Sequence, residues 1–190
     1  KTEFKGQLYF AARTGATGVE IYRTDGTTTG IVANINPGAG DSYPQNFGQY
    51  GDHLYFSAGT GMTGNELWRT DGATPVANTE MVQDINPGSW GSGPDNLTVF
   101  KGQLYFRADT EDNGIELWRF NGTSAQQAGD IYPGPDDGNP VSLTVFAGSL
   151  YFTAEDGSHG RELWATNGGK PHLVKDILPV IDDFERALSN

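Results

Sequence analysis

The chain has 190 residues, a formal net charge of −12 and a sequence pI near 4.4, which argues against phosphate-backbone binding, because nucleic-acid affinity comes chiefly from Lys and Arg displacing counterions. The absence of cysteine removes disulfide frameworks and thiol nucleophiles, and no apolar run reaches the roughly 18 to 20 residues of a membrane span. With 27 glycines, 10 prolines and 12% aromatic residues, the composition describes short strands joined by tight turns, an all-β chain. The sequence opens at Lys1 without a signal peptide, as a mature secreted chain or an excised domain would.

In chain order the first element is Leu8-Tyr9-Phe10, which recurs as Leu54-Tyr55-Phe56, Leu104-Tyr105-Phe106 and Leu150-Tyr151-Phe152 at spacings of 46, 50 and 46. About ten residues after each comes Glu20-Ile21-Tyr22, Glu66-Leu67-Trp68, Glu116-Leu117-Trp118 or Glu162-Leu163-Trp164. A turn pair follows at Asp25-Gly26, Asp71-Gly72, Asn121-Gly122 and Asn167-Gly168. Each unit then closes on Asn34-Ile35-Asn36-Pro37-Gly38, Asp84-Ile85-Asn86-Pro87-Gly88, Asp130-Ile131-Tyr132-Pro133-Gly134 or the degenerate Asp176-Ile177-Leu178-Pro179. The repeat divides the chain into units of approximately 1–45, 46–95, 96–141 and 142–179, with a tail at 180–190.

In the third unit the pattern predicts strands at Leu97–Phe100, Gln103–Ala108, Ile115–Phe120 and Ala125–Tyr132. Tight turns fall at Lys101-Gly102 and Asn121-Gly122, since Asn-Gly accepts the positive φ of a two-residue hairpin turn. Leu104 and Phe106 lie on one face of their strand and Tyr105 on the other, so both faces are apolar. One meander buries neither face alone, but stacking four-stranded sheets around an axis buries both, which predicts a β-propeller of four antiparallel blades. Four blades fit a closed ring of hemopexin-like size, an eight-bladed ring from two chains, or neighbouring repeats of a longer array.

The motif set resembles the bacterial ELWxxDGT-repeat proteins, through Gly64-Asn65-Glu66-Leu67-Trp68-Arg69-Thr70-Asp71-Gly72, Asp84 to Gly88, Asn96-Leu97-Thr98 and Gly157 to Trp164. The departures are Tyr22 for Trp, Asn121 and Asn167 for Asp, and Ala165 where Arg23, Arg69 and Arg119 stand. The resemblance implies an extracellular or cell-surface bacterial protein and no particular reaction. In the tail, Val180, Ile181, Phe184 and Leu188 behind Asp182 and Asp183 suggest a short amphipathic helix covering a seam or an edge strand.

Glu20, Glu66, Glu116 and Glu162 look like a carboxylate set for acid–base work. Yet a catalytic pair needs two environments that part their pKa values, and a residue repeated in every blade occupies one environment four times. Each Glu is therefore expected to accept hydrogen bonds from turn amides or a neighbouring blade, with the Arg three residues on as a partner, and the chain is read as non-enzymatic. Asn34, Asp84, Asp130 and Asp176 are expected to hold the linkers through Asx-type bonds. Calcium is the cation suited to the oxygens of Asp109, Glu111, Asp112 and Asn113 in one loop, whereas three scattered histidines carry no zinc spacing.

Function is expected where the blades differ. Trp90 is an aromatic at a place where none of the other linkers puts one, a platform for a sugar ring or a protein partner. Tyr43, Asp41, Asp136 and Asp137 occupy corresponding linkers. The leading expectation is an extracellular scaffold or adhesion module binding proteins or surfaces, and the alternative is a lectin with sites in loops or inter-blade grooves.

Overall fold

Type I′ hairpins begin the first, third and fourth blades, because both central residues take positive φ: Lys5 and Gly6 at 50° and 72°, Lys101 and Gly102 at 47° and 70°, Ala147 and Gly148 at 47° and 80°; in the second blade's Gly51-Asp52 turn the positive φ belongs to Gly51, at 57°. The computed structural model describes residues 1–73 and 77–175. The closing Asp176–Pro179 motif and the expected tail helix lie outside the described residues.

Sixteen strands are described, in four sheets. The first holds β1 (Thr2–Phe4), β2 (Gln7–Thr14), β3 (Gly18–Thr24) and β4 (Thr29–Ala33). The second holds β5 (Gln45–Tyr50), β6 (His53–Thr60), β7 (Gly64–Thr70) and β8 (Thr79–Gln83). The third holds β9 (Asp95–Phe100), β10 (Gln103–Thr110), β11 (Gly114–Phe120) and β12 (Ala125–Gly129), and the fourth β13 (Val141–Phe146), β14 (Ser149–Glu155), β15 (Arg161–Thr166) and β16 (His172–Lys175). Each sheet is an antiparallel meander in chain order, and among the described residues no strand passes from one sheet to another.

Two expectations for the third unit are corrected. Its last strand ends at Gly129, not Tyr132, because the amides of Ile131 and Tyr132 leave the ladder to donate to Glu116. The Asn121-Gly122 turn is a four-residue Asx loop, in which Asn121 Oδ1 accepts from the amides of Thr123 and Ser124 at 2.8 and 3.0 Å. Positive φ there belongs to Gly122 and not to Asn121.

The alternation predicted for Leu-Tyr-Phe decides the packing. Leu104 and Phe106 join Tyr55, Leu67 and Ile85 in the core between the second and third sheets, while Tyr105 turns the other way to meet Leu150, Phe152 and Trp164 of the fourth. Between the first and second sheets, Phe4, Tyr9, Ile21 and Ile35 meet Leu54, Phe56 and Ala58. Each fully buried Leu or Phe contributes roughly 1.5 to 3 kcal/mol, so the core of this molecule lies between its sheets and repeats with them.

Candidate functional site

Every described Glu-Leu-Trp glutamate is buried. Glu66 accepts from the amides of Ile85, Asn86 and Ser92 at 3.0, 3.1 and 2.8 Å and from the Ser92 hydroxyl at 2.6 Å. Glu20 takes the amides of Ile35 and Asn36 at 2.9 and 3.1 Å and the Ser42 hydroxyl at 2.6 Å. Glu116 takes those of Ile131, Tyr132 and Gly138 at 2.9, 3.0 and 3.1 Å. The carboxylate thus staples each of the first three blades to the linker that leaves it, using donors a turning backbone cannot satisfy in a ladder.

The Arg three residues on is not its partner, because positions three apart on a strand face opposite ways. Arg23 donates instead to the carbonyls of Gly72 and Ala73, at 2.8 and 3.0 Å, and Arg119 to that of Gly168 at 2.9 Å, so both reach the turn of the next blade. Arg69 turns to Glu80 within its own sheet. Nor do Asn34, Asp84 and Asp130 hold the linkers: all three are exposed, and among the described residues their side chains make no hydrogen bond to a linker. Asn36 and Asn86 do so, donating to the carbonyls of Asp41 and Gly91 at 3.0 and 3.1 Å.

Burial pushes Glu116 from its ordinary 4.5 up to about 7 against three amide donors that favour its charged form, and it also raises Glu66. A carboxyl with a raised folded pKa binds more protons folded than unfolded, so it stabilises below its unfolded value and loses that contribution as pH rises toward its folded value. The urea midpoint is therefore expected to fall between about pH 4.5 and 7 and to level above. Glu116→Gln removes this group's share of the slope while leaving the effect of overall acidity in place. An identical slope in the variant would contradict the assignment.

The linker residues expected to bind ligands divide by use. Asp41 Oδ1 accepts from the Val19 amide at 2.8 Å, and its other oxygen takes the Tyr43 hydroxyl at 2.7 Å and the Arg13 guanidinium. These bonds, the Tyr43 hydroxyl foremost, hold its carboxyl below the usual range. Asp137 makes the equivalent bond to the Ile115 amide at 2.9 Å, while Asp136 is exposed.

Trp90 is 91% exposed. Its linker is anchored by backbone: Gly91 pairs with Asn65, and the Gly93 amide donates to the Asn65 carbonyl at 2.9 Å. A β-carbon on Gly64, whose φ is +60°, would stand 2.3 Å from the Gly91 nitrogen. That close approach seats the chain on its own blade and leaves the indole outside.

Beside Trp90 runs a groove of about 220 Å³ lined by Asn65, Ser92, Arg107, Asp109 and Ile115. Arg107 is held by Asn139 Oδ1 at 2.6 Å and by Asp95 at 3.2 Å. Burial, then the charge of Asp137, raises Asp109. Arg107 is not among the residues expected from the sequence to bind, although it breaks the repeat: Ala11, Ser57 and Thr153 occupy its place in the other units.

The four oxygen-bearing residues expected to suit calcium are split. Asp109 lines the Trp90 groove, while Glu111, Asp112 and Asn113 line a separate groove beside Asn86, Pro87 and Trp118. Among the described residues no three His, Cys, Asp or Glu side chains converge as a metal-holding group.

Sheets of four antiparallel strands, joined in chain order and packed face to face, define a β-propeller with four described blades. The chain is similar to a solved structure titled as a putative TolB from Agrobacterium tumefaciens, at 16% identity and a TM-score of 0.52, over 90% of this chain and 61% of that one. It thus spans about three-fifths of that chain's length, and the likeness is one of fold. A weaker similarity, with a TM-score of 0.41 and 15% identity, is to an α-L-arabinofuranosidase from Clostridium thermocellum, over 96% of this chain and 72% of that one. No family model and no curated protein matches the chain. Among the described residues no helix is long and apolar enough to cross a membrane.

Proposed function

We propose that the chain is a non-enzymatic binding module, working outside the cell or at its surface, whose Trp90 groove takes a protein partner. The observation that carries this reading is the contrast between spent and unspent chemistry. Glu20, Glu66 and Glu116 are buried and engaged with backbone, whereas Trp90 stands in solvent next to a guanidinium and a carboxylate. Trp and Arg are enriched at the anchoring centres of protein interfaces, and the edge of this groove offers an apolar ring with charged groups behind it. The extracellular setting follows the resemblance to ELWxxDGT-repeat proteins.

The test is binding of the fluorescently labelled chain to intact bacterial cells and to a glycan array. Cell labelling is expected, with a loss of at least about tenfold in Trp90→Ala on the scale of an interface anchor, an unchanged melting temperature, and a blank array. Array binding abolished by the same substitution would establish the lectin instead. Turnover of a substrate that survives purification and disappears on one loop substitution would make the chain an enzyme.

A further inference from the structure

We infer that the groove beside Trp90 takes an arginine side chain of the protein partner, with the guanidinium lying on the indole face and bonded to the Asp109 carboxylate. The inference rests on the reading of this groove as the partner site and adds the chemistry that is recognised there. A volume of about 220 Å³ falls below the roughly 300 to 1,000 Å³ of pockets that enclose a whole small molecule. It suits a single inserted side chain.

Backbone holds the two groups beside each other. The Asp109 amide donates to the Ser92 carbonyl at 2.8 Å, which ties the end of β10 to the linker two residues beyond Trp90, and both residues line the same groove. Trp90 stands in solvent. Asp109 is half-buried, and among the described residues its carboxylate accepts no hydrogen bond and pairs with no cation. Burial and the nearby charge of Asp137 both disfavour its charged form. A cation seated in the groove offsets both.

The guanidinium already present is committed elsewhere, since Arg107 is held by Asp95 at 3.2 Å and by Asn139 Oδ1 at 2.6 Å. An acidic partner would therefore meet Asp109 with no free cation to receive it, and an apolar side chain would strip water from Asp109 and return no hydrogen bond. Arginine answers both halves of the groove: its planar cation stacks on an aromatic face and its edge donates to a carboxylate. The net charge of −12 also draws a basic segment toward the chain.

The repeat does not account for this pairing. The amides of Gly59 and Glu155 make the bond equivalent to that of Asp109, to the carbonyls of Ser42 and Gly138, which puts Gly40 and Asp136 in the place of Trp90. Between the first and second blades the two positions are thus Gly40 and Gly59, with neither ring nor carboxylate. Between the third and fourth they are Asp136, which brings no ring, and Glu155, which is bound by Arg161 at 2.8 Å. Among the described residues, ring and uncommitted carboxylate meet only between the second and third blades.

The test is an NMR titration of the full 190-residue chain, following the backbone amides of Asn65, Ser92 and Gly93. The probe is an acetylated and amidated pentapeptide with one arginine among glycines, compared with the same peptide carrying citrulline, which keeps the shape and lacks the charge. The titration is run in about 0.15 M salt, where attraction to distant charges is screened beyond about 8 Å. Saturable shifts are expected with arginine, and binding at least about tenfold weaker with citrulline, in Asp109→Asn and in Trp90→Ala. Melting temperatures are expected to hold, because neither side chain bonds within the chain. Asp52→Asn removes an equal charge from an exposed turn and is expected to bind as the parent does. Equal binding of the citrulline peptide, or equal losses in Asp109→Asn and Asp52→Asn, would overturn the inference. Cell labelling that depends on Trp90 without any binding of the arginine peptide would also sink it and leave the binding module standing; arginine binding beside unlabelled cells would uphold it and remove the cell-surface reading.

Discussion

Glu66→Ala is expected to lower stability by about 3 kcal/mol or more, because three amides and a hydroxyl lose a buried acceptor and each unsatisfied buried donor costs roughly 1 to 3 kcal/mol. For a chain of this length that corresponds to a fall of about 6 to 12 °C in melting temperature. Glu66→Gln keeps the shape but turns an amide group toward backbone donors, so it is expected to cost less, about 1 to 3 kcal/mol. Glu80→Ala is the control: it removes an exposed partner of Arg69, and exposed pairs contribute about 0 to 1 kcal/mol. Urea denaturation reads all three. A loss under about 1 kcal/mol for Glu66→Ala would mean that water replaces the carboxylate without penalty, and the staple would not be what joins linker to blade.

Leu104→Ala should be comparably damaging, at about 2 to 5 kcal/mol, since it opens a cavity among Tyr55, Leu67, Ile85 and Phe106. The same substitution at Leu8, in the same motif, is expected to cost under about 1 kcal/mol, because that side chain is already partly in water. The pair separates local sequence from neighbourhood: identical tripeptides differ in how far their leucine is buried. Equal losses at the two positions would show that something covers the first blade's face within the single chain.

Much of the frame was legible in the residues themselves. Leu-Tyr-Phe alternation predicted two buried faces per blade, and the Lys101-Gly102 hairpin followed from turn chemistry, because both are properties of neighbouring residues. The structural use of the repeated glutamates was also legible, from repetition alone. That turn amides would be the donors was legible too, but which amides was not, and the expected pairing of Glu116 with Arg119 fails because a spacing of three puts the two side chains on opposite faces of the strand. Asp109 and Asn113 share a loop in sequence yet line different grooves, since the strand runs on to Thr110 and the two side chains emerge on different sides of the turn.

Trp90 illustrates the same division. Its departure from the repeat marked it as a candidate. Its exposure was set by Gly64 and Gly91, whose backbones approach too closely for a side chain between them and so hold the linker down while the indole stands clear. Arg107 reached the groove from a strand of the next blade, a neighbour only after stacking.

By itself, then, the sequence determined the four-strand repeat, the apolar character of both blade faces and the places where the units differ, because each of these depends on residues within a few positions of one another. Only the tertiary structure decided which donors each glutamate binds, which linker residue meets solvent and which strand of the next blade reaches it. Those are relations between segments 15 to 50 residues apart, set by how one sheet lies on the next.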